Sequence, residues 1–414
     1  MKHLHEGRLY WQETLPNPTA YPPLEQELHV DAAIVGGGMS GSLLGYILAR
    51  SGLRTVLLER GEAAGGSSQA NTGLLQFCND VMLTDLIDQI GEHRAVTFYK
   101  ACAEAVNDLA DVASSLPVDT AFERSSSLYL ASTEQHVPKL RREYDTLLAN
   151  GFDVEYWEPE LIGERFPFRK SGAIVTHGDA QLNPYRFVHA VIDEAAASFG
   201  LIVHEHTDVV GLRTDEKGQH TLSTSAGPAV HAKHVIYAVG YEPEELRGKL
   251  VRAQLNRTSA ILTEQQADVS PWYGRYLIWE TARPYFYARL TDDGRVIAGG
   301  YDEPGGKPLA GQHARDEFSD KLADRIKQLF PSFQTAPAYE WNATFALSQD
   351  ELPFIGEDPQ WPQVYYCLGY GGNGTVYSMM GAKLILDLIE GRSNPLAPIV
   401  GLGRKSLQPS PASS

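Results

Sequence analysis

The stretch Ala32-Ala33-Ile34-Val35-Gly36-Gly37-Gly38-Met39-Ser40-Gly41, with the segment that follows it to Glu59, decides how this chain folds. Four apolar residues in a row fit a buried strand, and they run straight into a turn of the form G-x-G-x-x-G. Behind the turn, Leu43, Leu44, Ile47 and Leu48 recur at helical spacing, and Gly52 stops the helix. A second strand, Thr55-Val56-Leu57-Leu58, ends on Glu59. Each part has a mechanical purpose in a dinucleotide site. Gly36 permits the tight turn, Gly38 lets backbone approach a pyrophosphate, and Gly41 lets the helix pack close to the sheet. The helix N-terminus at Met39 and Ser40 offers unpaired N–H groups and partial positive charge to phosphates. Glu59 is placed to accept hydrogen bonds from both ribose hydroxyls, and its charge disfavours a 2′-phosphate. A Gly-rich turn alone is common, but strand, helix, second strand and acid within about 30 residues supply the context the motif requires.

Composition narrows the rest. A chain of 414 residues fits two or three domains, and 43% hydrophobic residues suffice for their cores. A net charge of −17 disfavours nucleic acid and anionic membrane as partners. The polar Met1–Tyr10 stretch lacks an apolar signal core and no apolar run is long enough to span a bilayer, so a soluble cytoplasmic protein is expected. Cys78, Cys102 and Cys367 are odd in number and widely spaced, which fits reduced thiols rather than disulfides or a metal knuckle. His204 and His206 share a strand face without a third ligand, so they are expected to face solvent, and no metal is expected.

Along the chain, residues 1–27 carry four prolines and fit an extended arm that Trp11 anchors. Residues 61–73 form a Gly/Ser/Ala loop directly after Glu59. Helical periodicity runs through 83–90, 95–116 and 137–150, with a strand at 127–130 between them. Asn183-Pro184 opens a helix that Gly200 closes. His234–Gly240 is a buried strand ending in glycine. Residues 251–301 are rich in strand formers, with Asp292-Asp293-Gly294 as a hairpin turn, and fit an antiparallel sheet. Residues 316–330 fit a helix. Val364–Leu368 feeds Gly369-Tyr370-Gly371-Gly372-Asn373-Gly374 and a helix from Thr375 to Glu390. The pattern predicts an α/β fold: a discontinuous Rossmann-type domain (28–80, 171–241 and 337–393) with an inserted mixed or antiparallel-sheet substrate domain (81–170 and 242–336). The Ser/Pro-rich tail, 405–414, is expected to be disordered.

Glu59-Arg60-Gly61, the loop to Gly73, Ala238-Val239-Gly240, and Leu352-Pro353-Phe354-Ile355-Gly356 followed by the Gly369–Gly374 run together resemble the FAD-dependent D-amino-acid-oxidase-like superfamily, which includes glycine, sarcosine and γ-glutamylputrescine oxidases. Gly45, four residues past Gly41, fits the FAD variant of the fingerprint. The resemblance implies FAD as cofactor and oxidation of a C–N bond in an amine or amino acid, by hydride transfer to flavin N5, with O2 or another acceptor reoxidising the flavin. It also implies that Ser67, Ser68, Asn71, Thr72 and Gly73 line the flavin. Val209 or Val210 would touch the adenine side, and Gly240 would let the chain pass close to the cofactor. Gly371, Gly372, Asn373, Gly374 and Thr375 would supply N–H donors near the flavin N1/C2=O edge.

Two departures bear on substrate. Glycine-oxidase-like relatives read W-A-G-L-R-P before P-x-I-G, and their Arg grips the substrate carboxylate. Here Phe345 stands at that position, so the clamp is missing and an amine without an α-carboxylate becomes an option. Arg289 is the candidate substitute. Relatives with covalent flavin carry a Cys at the position of Trp341, so FAD is expected to be non-covalent. The lysine that promotes their reaction with oxygen aligns near Ala298. Tyr285, Tyr287 and Trp279 are candidate pocket residues. An NAD-linked reductase explains residues 30–59 equally well but leaves the Gly369–Gly374 run unused. A flavin-binding electron-transfer or sensor subunit is a third reading, favoured by Phe345 and Ala298.

Overall fold

A computed structural model describes residues 4–241, 253–305 and 307–404. Two large sheets organise the chain. The first has eight strands and carries the nucleotide fingerprint. Its central order is Phe354–Glu357, Val364–Leu368, Ala229–Tyr237, Leu28–Val35, Thr55–Leu58, Ile202–His204. All these neighbours pair in parallel except the first two, and a hairpin of Val209–Thr214 and His220–Thr224 attaches to Ala229–Tyr237. The stretches Ala32–Val35, Val56–Leu58, Val235–Tyr237 and Val364–Leu368 of the four central strands are unbroken buried runs, as expected for parallel strands covered by helices. Met39–Arg50, Pro184–Phe199 and Gly374–Ile389 pack together there. Asn183 caps the second of these by accepting from Arg186 N–H, and Gly200 ends it in the left-handed region.

The second sheet has ten strands; Trp279 and Tyr287 lie on the face toward the helices of the nucleotide sheet, and Phe286 lies on the other face, against the helix Gln312–Leu329. Phe286–Leu290 and Val296–Pro304 form the expected hairpin around Asp292-Asp293-Gly294. Leu277–Glu280, however, pairs in parallel with Ser127–Leu130, so this sheet is mixed rather than wholly antiparallel. That pairing joins the segments 81–170 and 242–336, which lie far apart in sequence.

Several expected boundaries shift. Ala173–Gln181 and Pro337–Ser348, assigned above to the Rossmann-type domain, are hydrogen-bonded into the ten-stranded sheet, as is Leu74–Leu75. A buried apolar strand carries no mark of which sheet will accept it, and long-range pairing makes that choice. The N-terminal arm is also more structured than its prolines suggest. His5–Arg8 adds a strand against Glu340–Ala343, and Trp11–Thr14 forms a short 3-10 turn with Trp11 buried. The tail 405–414 lies outside the described residues. Cys78, Cys102 and Cys367 are free and buried. Among the described residues, no helix is long and apolar enough to cross a membrane, and no three His, Cys, Asp or Glu side chains gather as a metal site.

Candidate active site

A cavity of about 1050 Å³ runs from the carboxyl end of the nucleotide sheet to the face of the ten-stranded sheet. Its position outside the strand ends is where open α/β sheets bind ligands. Gly36 turns the chain there with φ +112°, and an added Cβ would lie 2.5 Å from the Ala238 carbonyl oxygen. At Gly41 a Cβ would collide with the Gly36 carbonyl, so the fingerprint's third glycine is fixed by packing and does not itself line the cavity. Gly45 lies against Leu201, whose Cδ2 would be 2.9 Å from a Cβ. Gly38, Met39 and Ser40 line the cavity at the helix N-terminus. Ser68 Oγ accepts from Met39 N–H at 2.9 Å, and Ser40 and Ser378 share a hydroxyl contact of 2.8 Å that ties the two nucleotide-covering helices together.

Glu59 is held by the fingerprint itself. Its two carboxylate oxygens accept from Gly37 N–H at 2.7 Å and Gly61 N–H at 2.8 Å. Burial pushes its pKa up, and those two N–H bonds oppose the shift. Each oxygen keeps lone-pair capacity for a ribose hydroxyl. Arg60, Val209, the exposed Val210 and Gly240 line the same end. His206 also lines it. It lies beyond the strand that holds His204, with φ +50°, so the two histidines do not share a strand face.

Ser67, Ser68, Asn71 and Thr72 line the middle of the cavity, and the way their loop is held was not foreseen. Three successive carbonyls each receive a donor from a different element. Trp341 Nε1 donates to Ala70 O at 2.9 Å, Trp11 Nε1 to Asn71 O at 2.7 Å, and Arg289 Nε to Thr72 O at 2.7 Å. Asn71 Oδ1 accepts from Gly73 N–H at 2.7 Å, and Gly73, with φ +75°, packs against Leu182 O without lining the cavity.

Arg289 is therefore not the substitute clamp. It is 2% exposed, does not line the cavity, and also donates to Leu182 O at 3.0 Å and Gln181 Oε1 at 3.3 Å. Burial lowers its pKa to about 10. The other three candidates, Tyr285, Tyr287 and Phe345, line the cavity together with Trp279. Ala298 belongs to the cluster behind the sheet, so a longer side chain there would point away from the cavity. Its neighbour Gly299 lies on the cavity face, where the Tyr287 hydroxyl fills the space a Cβ would need.

The C-terminal Gly-rich loop has fewer free donors than its glycines suggest. Gly371, Gly372, Asn373, Gly374 and Thr375 all line the cavity. Yet Gly371 N–H donates to Ala346 O at 3.0 Å and Gly372 N–H to Asp80 Oδ2 at 2.8 Å. The donors free to face a ligand are those that open the helix Gly374–Ile389. Asn373 Nδ2 donates to Gln76 O at 2.6 Å and Tyr377 OH to Asn79 Oδ1 at 2.8 Å, which fixes the loop. Asp80 and Asp302 join the tyrosines on the cavity wall, a pair that sequence pattern alone did not mark. Burial raises Asp302 to about 6, opposed by a hydrogen bond from Thr258.

Residues 31–388 match the family model described as FAD dependent oxidoreductase, DAO. The chain belongs to this family. Among curated relatives, glycine oxidase of Geobacillus kaustophilus is 26% identical over 87% of this chain and 93% of its own. A Bacillus subtilis protein provisionally named a Rieske 2Fe-2S iron-sulfur protein is 23% identical over 97% of this chain and 76% of its own. The crystal structure of glycine oxidase from Geobacillus kaustophilus superposes with a TM-score of 0.77, at 22% identity, covering 91% of this chain and 99% of that one. The fold is thus the mixed α/β fold of DAO flavoenzymes, and the protein is an FAD-dependent oxidoreductase.

The cavity fits that cofactor. It is as large as the roomiest ligand pockets, about 1000 Å³. Around it stand a helix N-terminus that could hold a pyrophosphate, a carboxylate that could accept from a ribose, and a second helix N-terminus at the far end. A Cβ at Gly240 would meet only Ser67 Oγ, at 3.8 Å, leaving the strand end open to a bound group.

Proposed function

We propose that the chain oxidises the C–N bond of a small amine or amino acid, giving an imine that water hydrolyses, with O2 or another acceptor taking the electrons. The observation that carries this reading is the continuity of one cavity from the nucleotide fingerprint to the aromatic chamber of Trp279, Tyr285, Tyr287 and Phe345. FAD, when bound, supplies the two-electron acceptor. The chain supplies position and dryness: the aromatic walls exclude water, and the helix end at Gly374 stabilises negative charge near it. Tyr285 and Tyr287 stay protonated, since burial pushes both hydroxyls far up, so they act as hydrogen-bond donors. The glycine oxidase likeness supports the substrate class. Phe345 in the chamber supports an amine without an α-carboxylate, since no arginine replaces the clamp on the described cavity wall beside it.

Non-covalent attachment is supported by two residues. Trp341 is 2% exposed and committed to Ala70 O. Cys78 does reach the cavity wall, but burial pushes its thiol well above its usual range and leaves it a poor nucleophile. The test is anaerobic: FAD-loaded protein is mixed with a panel of amines and amino acids, and visible absorbance is followed. Bleaching by one compound, with the carbonyl product recovered, is expected. Intact oxidised flavin with every member, alongside a co-purifying protein that does reduce it, would favour an electron-transfer subunit.

A further inference from the structure

Among the described residues, the charged groups on the chamber wall have one sign. Asp80 and Asp302 line it. The basic residues on the described cavity wall, Arg60, His206 and His5, lie elsewhere: the first two at the ribose end, and His5 against Gln69. Asp80 is fixed beside the Gly-rich loop by Gly372 N–H, and Tyr285 lies next to it. Burial of Tyr285 and Tyr287 is reinforced by the field of both carboxylates. Arg283 stands over the Tyr285 ring, 4.8 Å from its centroid, donates to the Asp80 carbonyl, and offsets part of this charge. Glu351 interacts electrostatically with both Arg283 and Asp80, so among the described residues the surroundings of the chamber remain net negative.

One further observation points to a ligand. Asp302 Oδ1, on the cavity wall, is buried without a hydrogen-bond partner. Trp279 is 5% exposed and lines the same cavity. A buried carboxylate oxygen without a partner is unfavourable, and an ammonium N–H donor relieves it. The aromatic walls also suit a cation, which is attracted to the faces of Trp and Tyr.

We propose that Asp302 and Asp80 form a cation-binding wall, and that the amines oxidised here carry a second cationic nitrogen and no carboxylate: linear diamines and their longer homologues. This rests on the reading under Proposed function. One ammonium sits by Asp302 among the aromatic rings, while the other end presents its C–N bond to the cofactor side. Removing a carboxylate from the substrate and adding an ammonium change the interaction with two aspartates in the same direction. At neutral pH Asp302 is still mostly charged.

The test uses the FAD-loaded full chain and three probes of equal length: a linear diamine, the monoamine and the ω-amino acid. Perturbation of the flavin spectrum reads binding, and anaerobic bleaching reads reaction. The wild type is expected to bind the diamine at least tenfold more tightly than either other probe. Asp302→Asn should reduce that preference at least tenfold through the apparent Kd. Asp80→Asn should act in the same direction, and FAD content reports folding in each variant. Equal affinity for all three probes, tighter binding of the ω-amino acid, or a uniform loss for all three in Asp302→Asn overturns the proposal. Tight diamine binding without bleaching keeps the cation wall and overturns the oxidation reading instead.

Discussion

Replacing Arg289 by Met separates a loop buttress from a substrate clamp. The wild-type guanidinium makes two short bonds to carbonyls, Thr72 O at 2.7 Å and Leu182 O at 3.0 Å. Charged donors contribute about 1.5–3 kcal/mol per bond, so their loss costs about 3–6 kcal/mol. Against this, burial lowers the pKa from 12.5 to about 10, a penalty of ~3 kcal/mol on the charged form that methionine removes. The net expectation is a destabilisation of about 2 kcal/mol, a melting shift of a few degrees. Arg289→Lys should be worse, because it keeps a buried charge while leaving one of the two carbonyls without a donor. Both variants should retain less FAD, since Thr72 belongs to the loop that lines the cofactor cavity. Neither should change the ratio of rates for amines with and without a carboxylate. Thermal melts, FAD content and anaerobic bleaching rates provide the comparison. A variant that melts like wild type, keeps its FAD and loses only carboxylate-bearing substrates would refute the buttress role.

Other outcomes follow from the same geometry. Gly41→Ala forces a Cβ onto the Gly36 carbonyl and should cost about 3 kcal/mol, with loss of FAD retention measured by absorbance ratio. Trp11→Phe keeps most of the buried ring but leaves Asn71 O without its donor. A loss of about 1–2 kcal/mol and faster FAD release are expected, and denaturant melts with dilution assays read both. Asp179 is wholly buried and its pKa is raised from 3.8 to about 6, so the folded state binds its proton more tightly than the unfolded chain does. Its contribution is complete below about pH 4 and is lost as pH rises through 6, by up to ~3 kcal/mol; Asp179→Asn should flatten that part of a stability–pH curve.

How much of this could be read from the chain alone differs between local and distant features. Residues 32–59 were legible because strand, turn, helix and acid are contiguous, and each glycine's constraint comes from atoms close in sequence or from the sheet beneath. The 369–390 segment was legible for the same reason, although the capture of Gly372 N–H by Asp80 depends on a residue 292 positions away. The sheet membership of 173–181 and 337–348 was not legible. Arg289 lies on a strand whose alternation fits a pocket residue as well as a buttress, and only the positions of Thr72 and Leu182 decide between them. Asp80 and Asp302 sit in unremarkable local sequence, and the fold brings them to one wall. The clamp on residues 70–72 draws on Trp11, Trp341 and Arg289, three elements with no shared pattern.

The most direct measurement is the flavin content of the purified, folded protein after incubation with FAD, followed by denaturation and analysis of the released chromophore. One FAD per chain, freed intact into the supernatant, is the expected result, with Gly38→Phe retaining almost none. A folded wild-type protein that stays colourless, or a Gly38→Phe variant that holds FAD at wild-type stoichiometry, would contradict the assignment of this cavity to FAD.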